Sequence, residues 1–101
     1  MDTSIKDNRL EIRIAEDITS FWVKDKLDQM REAIERDNSY EEIVLDMEKV
    51  EVIDSIGLNL IIALYKTANQ IRKGFKIIGL NGKVKKLFRI LKLDEVIAVE
   101  S

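Results

Sequence analysis

Glu42-Ile43-Val44-Leu45-Asp46-Met47-Glu48-Lys49-Val50-Glu51-Val52-Ile53-Asp54-Ser55-Ile56-Gly57-Leu58 is the stretch on which the fold turns. Its first six residues, Glu42 to Met47, are apolar-rich and β-branched, the pattern of a short buried strand. The polar pair Asp54-Ser55 then leads straight into a second apolar segment. Ser55 is therefore expected where a loop becomes a helix, with its hydroxyl facing outward. A helix start offers unpaired N–H groups and the positive end of a dipole, which together make a ready seat for a phosphate.

Downstream, Gly57 to Lys73 has helical spacing. Leu58, Ile61, Ile62, Tyr65 and Ala68 form one stripe, and Leu60, Ala63 and Leu64 widen it, so the helix is expected to be mostly buried. Gly74 is expected to close it in the left-handed conformation. Phe75 to Gly79 reads as another short apolar strand. Asn81 is a good N-cap for a helix with Val84, Leu87, Phe88 and Leu91 inward. Val96 to Val99 reads as a last short strand.

Upstream, Arg9 to Ala15 alternates, with Leu10, Ile12 and Ile14 on one face, the period-two pattern of a half-buried strand. A strand around Ser4 to Lys6 is expected to pair with it across Asp7-Asn8. Thr19 or Ser20 can cap the next helix, in which Val23, Leu27, Met30 and Ile34 form the buried stripe and Asp37-Asn38-Ser39 marks the end. Trp22 lies toward the edge of that stripe, either as a partly buried core aromatic or as a partner contact. The predicted order is β-β-α-β-α-β-α-β. Strands alternating with helices imply an α/β fold with a mostly parallel sheet of four to five strands covered by helices. Ligands and partners of such sheets gather at the carboxyl ends of the strands, where Asp54-Ser55 falls.

Composition narrows the chemistry. The 101 residues suit a single domain, and 46% hydrophobic with 36% charged residues supports one core and a soluble surface. Cysteine and histidine are both absent. That removes Cys/His zinc sites, thiol nucleophiles, the Ser-His-Asp triad and histidine acid–base chemistry, and no metal or cofactor is expected. The first residues, Met1-Asp2-Thr3-Ser4, lack the pattern of a signal peptide, and the longest apolar run, Leu60 to Leu64, is too short to span a bilayer. A cytoplasmic protein without membrane attachment is expected. The net charge of −2 gives no global field for nucleic acid, and Lys83, Lys85, Lys86, Arg89 and Lys92 read as the solvated face of an amphipathic helix.

Asp54-Ser55-x-Gly57, set between an apolar strand and an apolar helix, resembles the phosphorylation motif of STAS domains, in particular bacterial anti-sigma factor antagonists. Ile43-Val44-Leu45-Asp46 and Val50 resemble the strand and loop that lead into that family's serine. Tyr65-Lys66 resembles its next helix. Gly74-Phe75-Lys76-Ile77-Ile78-Gly79-Leu80, Val84-Lys85-Lys86-Leu87-Phe88 and Leu91 to Leu93 resemble the strand and helix that follow. The resemblance runs from Glu42 to the end of the chain and is weaker before it. Two features depart from the pattern: Ile56 stands where the family usually has a small residue, and Ala15-Glu16-Asp17-Ile18-Thr19 stands where it has glycine-acid-x-Asp.

The resemblance implies a non-enzymatic partner switch. The unmodified antagonist would bind an anti-sigma factor that is also a serine kinase, phosphorylation of Ser55 would release it, and a serine phosphatase would reset the cycle. Asp17, Thr19, Asp54, Ser55, Ile56, Gly57, Leu58 and Asn59 would form the partner surface, on a monomer or weak homodimer. The expected phosphate seat is the N–H groups of Gly57 and Leu58. A competing reading is a non-switching STAS scaffold or interaction module in a larger signalling complex. A third, Ser55 as an enzymatic nucleophile, lacks a histidine base and any evident lysine partner.

Overall fold

A two-residue turn starts the sheet. Asp7 and Asn8 both adopt left-handed backbone conformations, with φ of 53° and 65°. Short polar side chains tolerate that region, and two such residues in a row make the mirror-image turn whose twist suits a hairpin. The turn joins β1 (Asp2–Lys6) to β2 (Arg9–Arg13), antiparallel, with Lys6 opposite Arg9. The computed structural model describes residues 1–100 of the chain. After the hairpin come α1 (Ser20–Arg36), β3 (Glu42–Asp46), α2 (Ser55–Gln70), β4 (Gly74–Ile78), α3 (Gly82–Ile90), a 3-10 turn at Leu93–Glu95, and β5 (Ala98–Glu100).

The five strands lie in the order β1-β2-β3-β4-β5, and every pair after the hairpin is parallel. Each parallel step crosses over through one helix, so the chain walks across the sheet in one direction. The register aligns Leu10, Ile43 and Phe75 in one row and Ile12, Leu45 and Ile77 in the next. Trp22, Met30 and Ile34 of α1, Leu60, Ile61, Leu64 and Ala68 of α2, and Val84 and Phe88 of α3 join those rows in a single apolar cluster. The Tyr40 hydroxyl, buried just past α1, donates to the Ile34 carbonyl oxygen at 2.7 Å. No described helix is long and apolar enough to cross a membrane.

The helical layer therefore lies on one face of the sheet. The opposite face carries the alternate residues, among them Glu11, Arg13, Glu42, Asp46, Lys76 and Glu100. They form ion pairs there, Arg13 with Asp46 at 3.4 Å and Lys76 with Glu100 at 3.3 Å and with Glu42 at 3.9 Å. Each pair joins at least one half-buried side chain, and surface pairs of this kind add little stability.

Three local expectations are corrected. Helix α2 begins at Ser55, two residues before the expected start at Gly57, because Asp54 is its N-cap. Gly74 does not close that helix. It is the first residue of β4, and Arg72, with φ of 59°, takes the left-handed position. The N–H groups of Arg72 and Lys73 turn back to the carbonyl oxygens of Asn69 and Ala68, so hydrogen bonding holds a non-glycine residue there. Leu91 is exposed rather than inward, because α3 ends at Ile90 and the chain turns away at Lys92.

Candidate functional site

Three loops leave the carboxyl ends of the parallel strands, and each ends in a helix N-cap: Thr19 for α1, Asp54 for α2 and Asn81 for α3. Main-chain bonds tie the first two loops together. The Ile18 N–H donates to the Val52 carbonyl at 3.0 Å, and the Asp54 N–H donates to the Ile18 carbonyl at 3.2 Å. Asp17 adds a clamp, its Oδ1 accepting from the N–H groups of Glu51 and Val52 at 3.0 Å each. Asn81 joins the third loop, its Nδ2 donating to the carbonyls of Val50 and Glu51 at 3.0 and 3.3 Å, while its Oδ1 accepts from the Val84 N–H at 2.8 Å.

Asp54 is the hub. Its Oδ1 accepts from the Gly57 N–H at 2.8 Å and its Oδ2 from the Ser20 N–H at 2.7 Å. One carboxylate thus serves the starts of two helices, where negative charge also meets the positive dipole ends. The Gly57 N–H, then the Ser20 N–H, with a smaller contribution from that of Ile56, hold the Asp54 carboxyl below its usual range. Gly57 is required here for space. A Cβ on it would lie 2.0 Å from the Ile18 carbonyl oxygen, so only glycine lets α2 start against the 15–19 loop.

Ser55 occupies the first helical position of α2 and is exposed. Its hydroxyl has no hydrogen-bond partner among the described residues. Ile56 and Asn59 are exposed as well, whereas Gly57 is buried and Leu58 is partly buried against the core. Asp17 and Thr19 belong to the same end of the molecule, but their side chains are engaged internally. Asp17 holds the 51–52 backbone, and Thr19 caps α1 through the Trp22 N–H at 3.5 Å. The expected phosphate seat is also corrected. The Gly57 N–H is bonded to the Asp54 side chain and the Leu58 N–H to the Asp54 carbonyl at 2.9 Å, so neither is open to a phosphate on Ser55.

One residue of the surface was not anticipated from the sequence. Trp22 is a core residue, 5% exposed, while Phe21 beside it is 86% exposed. Ser20 bonds to Asp54, so Phe21 and Ser55 flank the same contact. With Val52 and Ile56, each 49% exposed, Phe21 gives the surface around Ser55 an apolar character. The signal in the sequence is that Phe21 falls off the Val23-Leu27-Met30-Ile34 stripe.

Comparison with known proteins agrees with this architecture. The STAS domain family matches residues 1–101. An anti-sigma-B factor antagonist of Staphylococcus aureus is 25% identical over 99 residues, covering 98% of this chain and 90% of its own. Among solved structures, a Thermotoga maritima protein described as an anti-sigma factor antagonist superposes with a TM-score of 0.81 at 18% identity, over 99% of this chain and 85% of its own. The Bacillus cell fate determinant SpoIIAA, in its phosphorylated form, superposes with a TM-score of 0.73 at 14% identity, over 99% of this chain and 90% of its own.

Proposed function

Because the chain belongs to the STAS domain family, we propose that it acts as an anti-sigma factor antagonist, a protein partner switch controlled by phosphorylation of Ser55. The observation that carries this reading is the state of Ser55. It is exposed at a helix start, its hydroxyl has no partner among the described residues, and exposed apolar residues belong to the same two loops, Ile56 next to it, Val52 three residues before it and Phe21 beside the Ser20 that bonds to Asp54. The unphosphorylated surface, with Phe21, Val52, Ile56 and Asn59 about Ser55, is the face that would meet an anti-sigma factor with serine kinase activity. A phosphate there would add about −1.5 to −2 charge. Asp54, which stays ionised beside it, would compound that charge.

The mechanism is a change of surface and not of fold. Asp54 already takes the N–H groups that would cradle the phosphate, so the group would project into solvent. A partner seated on Phe21 and Ile56 would have to bury that charge next to apolar side chains, which is costly without a matched counter-ion. A loss of about 3–4 kcal/mol of binding corresponds to some hundreds-fold in affinity, enough to release a partner. The chain is in this reading a substrate and not a catalyst. It has no histidine, and among the described residues no side-chain base bonds to Ser55. A serine phosphatase would reverse the modification, and all three proteins would meet in the cytoplasm.

The test is to incubate the chain with ATP and its cognate anti-sigma serine kinase, map phosphate by mass spectrometry, and repeat with Ser55→Ala. Phosphate confined to Ser55 and lost in the variant is the expected outcome. By calorimetry, Ser55→Asp should bind the kinase some hundreds-fold more weakly, while Ser55→Ala stays within a few-fold of the unmodified chain. Phosphate elsewhere, or equal affinities, would refute the switch.

A further inference from the structure

Among the described residues, the edge of the sheet formed by β1 has no partner. Strand β1 pairs only with β2, and all five of its residues are exposed. The hairpin decides which of its backbone groups are free. In a two-residue hairpin the residues flanking the turn form a hydrogen-bonded pair, here Lys6 with Arg9. Lys6, Ser4 and Asp2 therefore point their N–H and C=O groups at β2, and Thr3 and Ile5 point theirs outward. Side chains alternate with the pleat, so Asp2, Ser4 and Lys6 share the helix-free face with Arg9, Glu11 and Arg13.

Charge is unbalanced along this edge. Lys6 lies directly across from Arg9, a like charge, and forms no ion pair among the described residues. Asp2 stands opposite Arg13, but Arg13 pairs with Asp46 at 3.4 Å and Asp2 forms no ion pair among the described residues. A free edge ending in an acid at one end and a base at the other is complementary to itself when run antiparallel.

We infer that a second copy of the chain pairs on this edge, antiparallel, about a two-fold axis beside Ser4. In that register Thr3 of each copy forms a hydrogen-bonded pair with Ile5 of the other, using the four outward groups on each strand. Ser4 faces Ser4 as a non-hydrogen-bonded pair, and each Asp2 faces the Lys6 of its partner. Sliding the strands by two residues in either direction also matches donors to acceptors, but removes both Asp2–Lys6 contacts. The two sheets join into one, and because the axis is perpendicular to it, both helical layers stay on the same face. A five-residue edge buries far less than the roughly 1,200 Å² of a stable interface, so the dimer is concentration-dependent and transient. The edge is separate from the Ser55 surface, and the inference does not rest on the proposed switch.

Cross-linking reads the register directly, because the chain has no cysteine of its own. Residues in a non-hydrogen-bonded antiparallel pair have Cα atoms about 4.5 Å apart, within the range of a disulfide. Under mild oxidation Ser4→Cys is expected to form a disulfide dimer at least about tenfold faster than Asp2→Cys or Lys6→Cys, whose thiols would face a different residue. Sedimentation of the full chain from micromolar to millimolar concentration should show a monomer–dimer equilibrium. Lys6→Asp should abolish it, and the double exchange Asp2→Lys, Lys6→Asp should restore it. Circular dichroism of each variant separates dissociation from unfolding. A monomer at all concentrations, equal cross-linking rates at the three positions, or no recovery in the double exchange would each overturn the inference.

Discussion

Asp54 carries more of this site than the serine beside it. Its two oxygens serve the Gly57 and Ser20 N–H groups, and those bonds hold its carboxyl below the ordinary value of 3.8. A carboxyl lowered by folding contributes stability that is present above the unfolded-state value and is lost as pH falls through the folded-state value. Stability should therefore drop below about pH 4. Asp54→Asn should be less stable at neutral pH, since the amide can still accept from Gly57 but presents a donor to Ser20. It should also lose less on acidification. Denaturation midpoints measured from pH 6 to pH 2 in both proteins test this, and parallel curves would contradict it. In the sequence Asp54 is legible as a capping residue of its own helix. Its second bond, to a residue 34 positions earlier, needs the two loops to meet and is invisible to local reading.

At the scale of elements, the decisive contact is the entry of α2 against the 15–19 loop. The helix can start there only because residue 57 has no side chain, and the Ile18 carbonyl would otherwise meet a Cβ at 2.0 Å. Gly57→Ala forces either the helix or the loop to move. It should cost about 1–3 kcal/mol in chemical denaturation, even though alanine is the better helix former. A neutral or stabilising result would mean that the loop yields freely. The elements themselves were readable, because alternation in β2, the stripe in α1 and the capping residues Thr19 and Asn81 are local signals. Gly74 misled because glycine after a helical pattern usually closes the helix. Here Arg72 does so, at a backbone strain repaid by two hydrogen bonds.

For the whole molecule, stability and recognition are divided between adjacent residues. Trp22 enters the core and Phe21 leaves it. Trp22→Ala should cost about 3–5 kcal/mol of folding free energy. Phe21→Ala should change stability by no more than about 0.5 kcal/mol, yet weaken partner binding at least about tenfold. Thermal melts beside calorimetry with the kinase would show the separation, and equal loss of stability in both variants would refute it. The sequence by itself determined the order of elements, the parallel sheet and the placement of Ser55 at a helix start, because these follow from periodicity and capping within a few residues of each position. Only the tertiary structure decided that Asp54 also serves the Ser20 N–H, that Phe21 rather than Trp22 faces outward, and that helices cover one face of the sheet alone. Those outcomes depend on which distant loops and faces meet, and contacts across 30 or more residues leave no periodic trace in the chain.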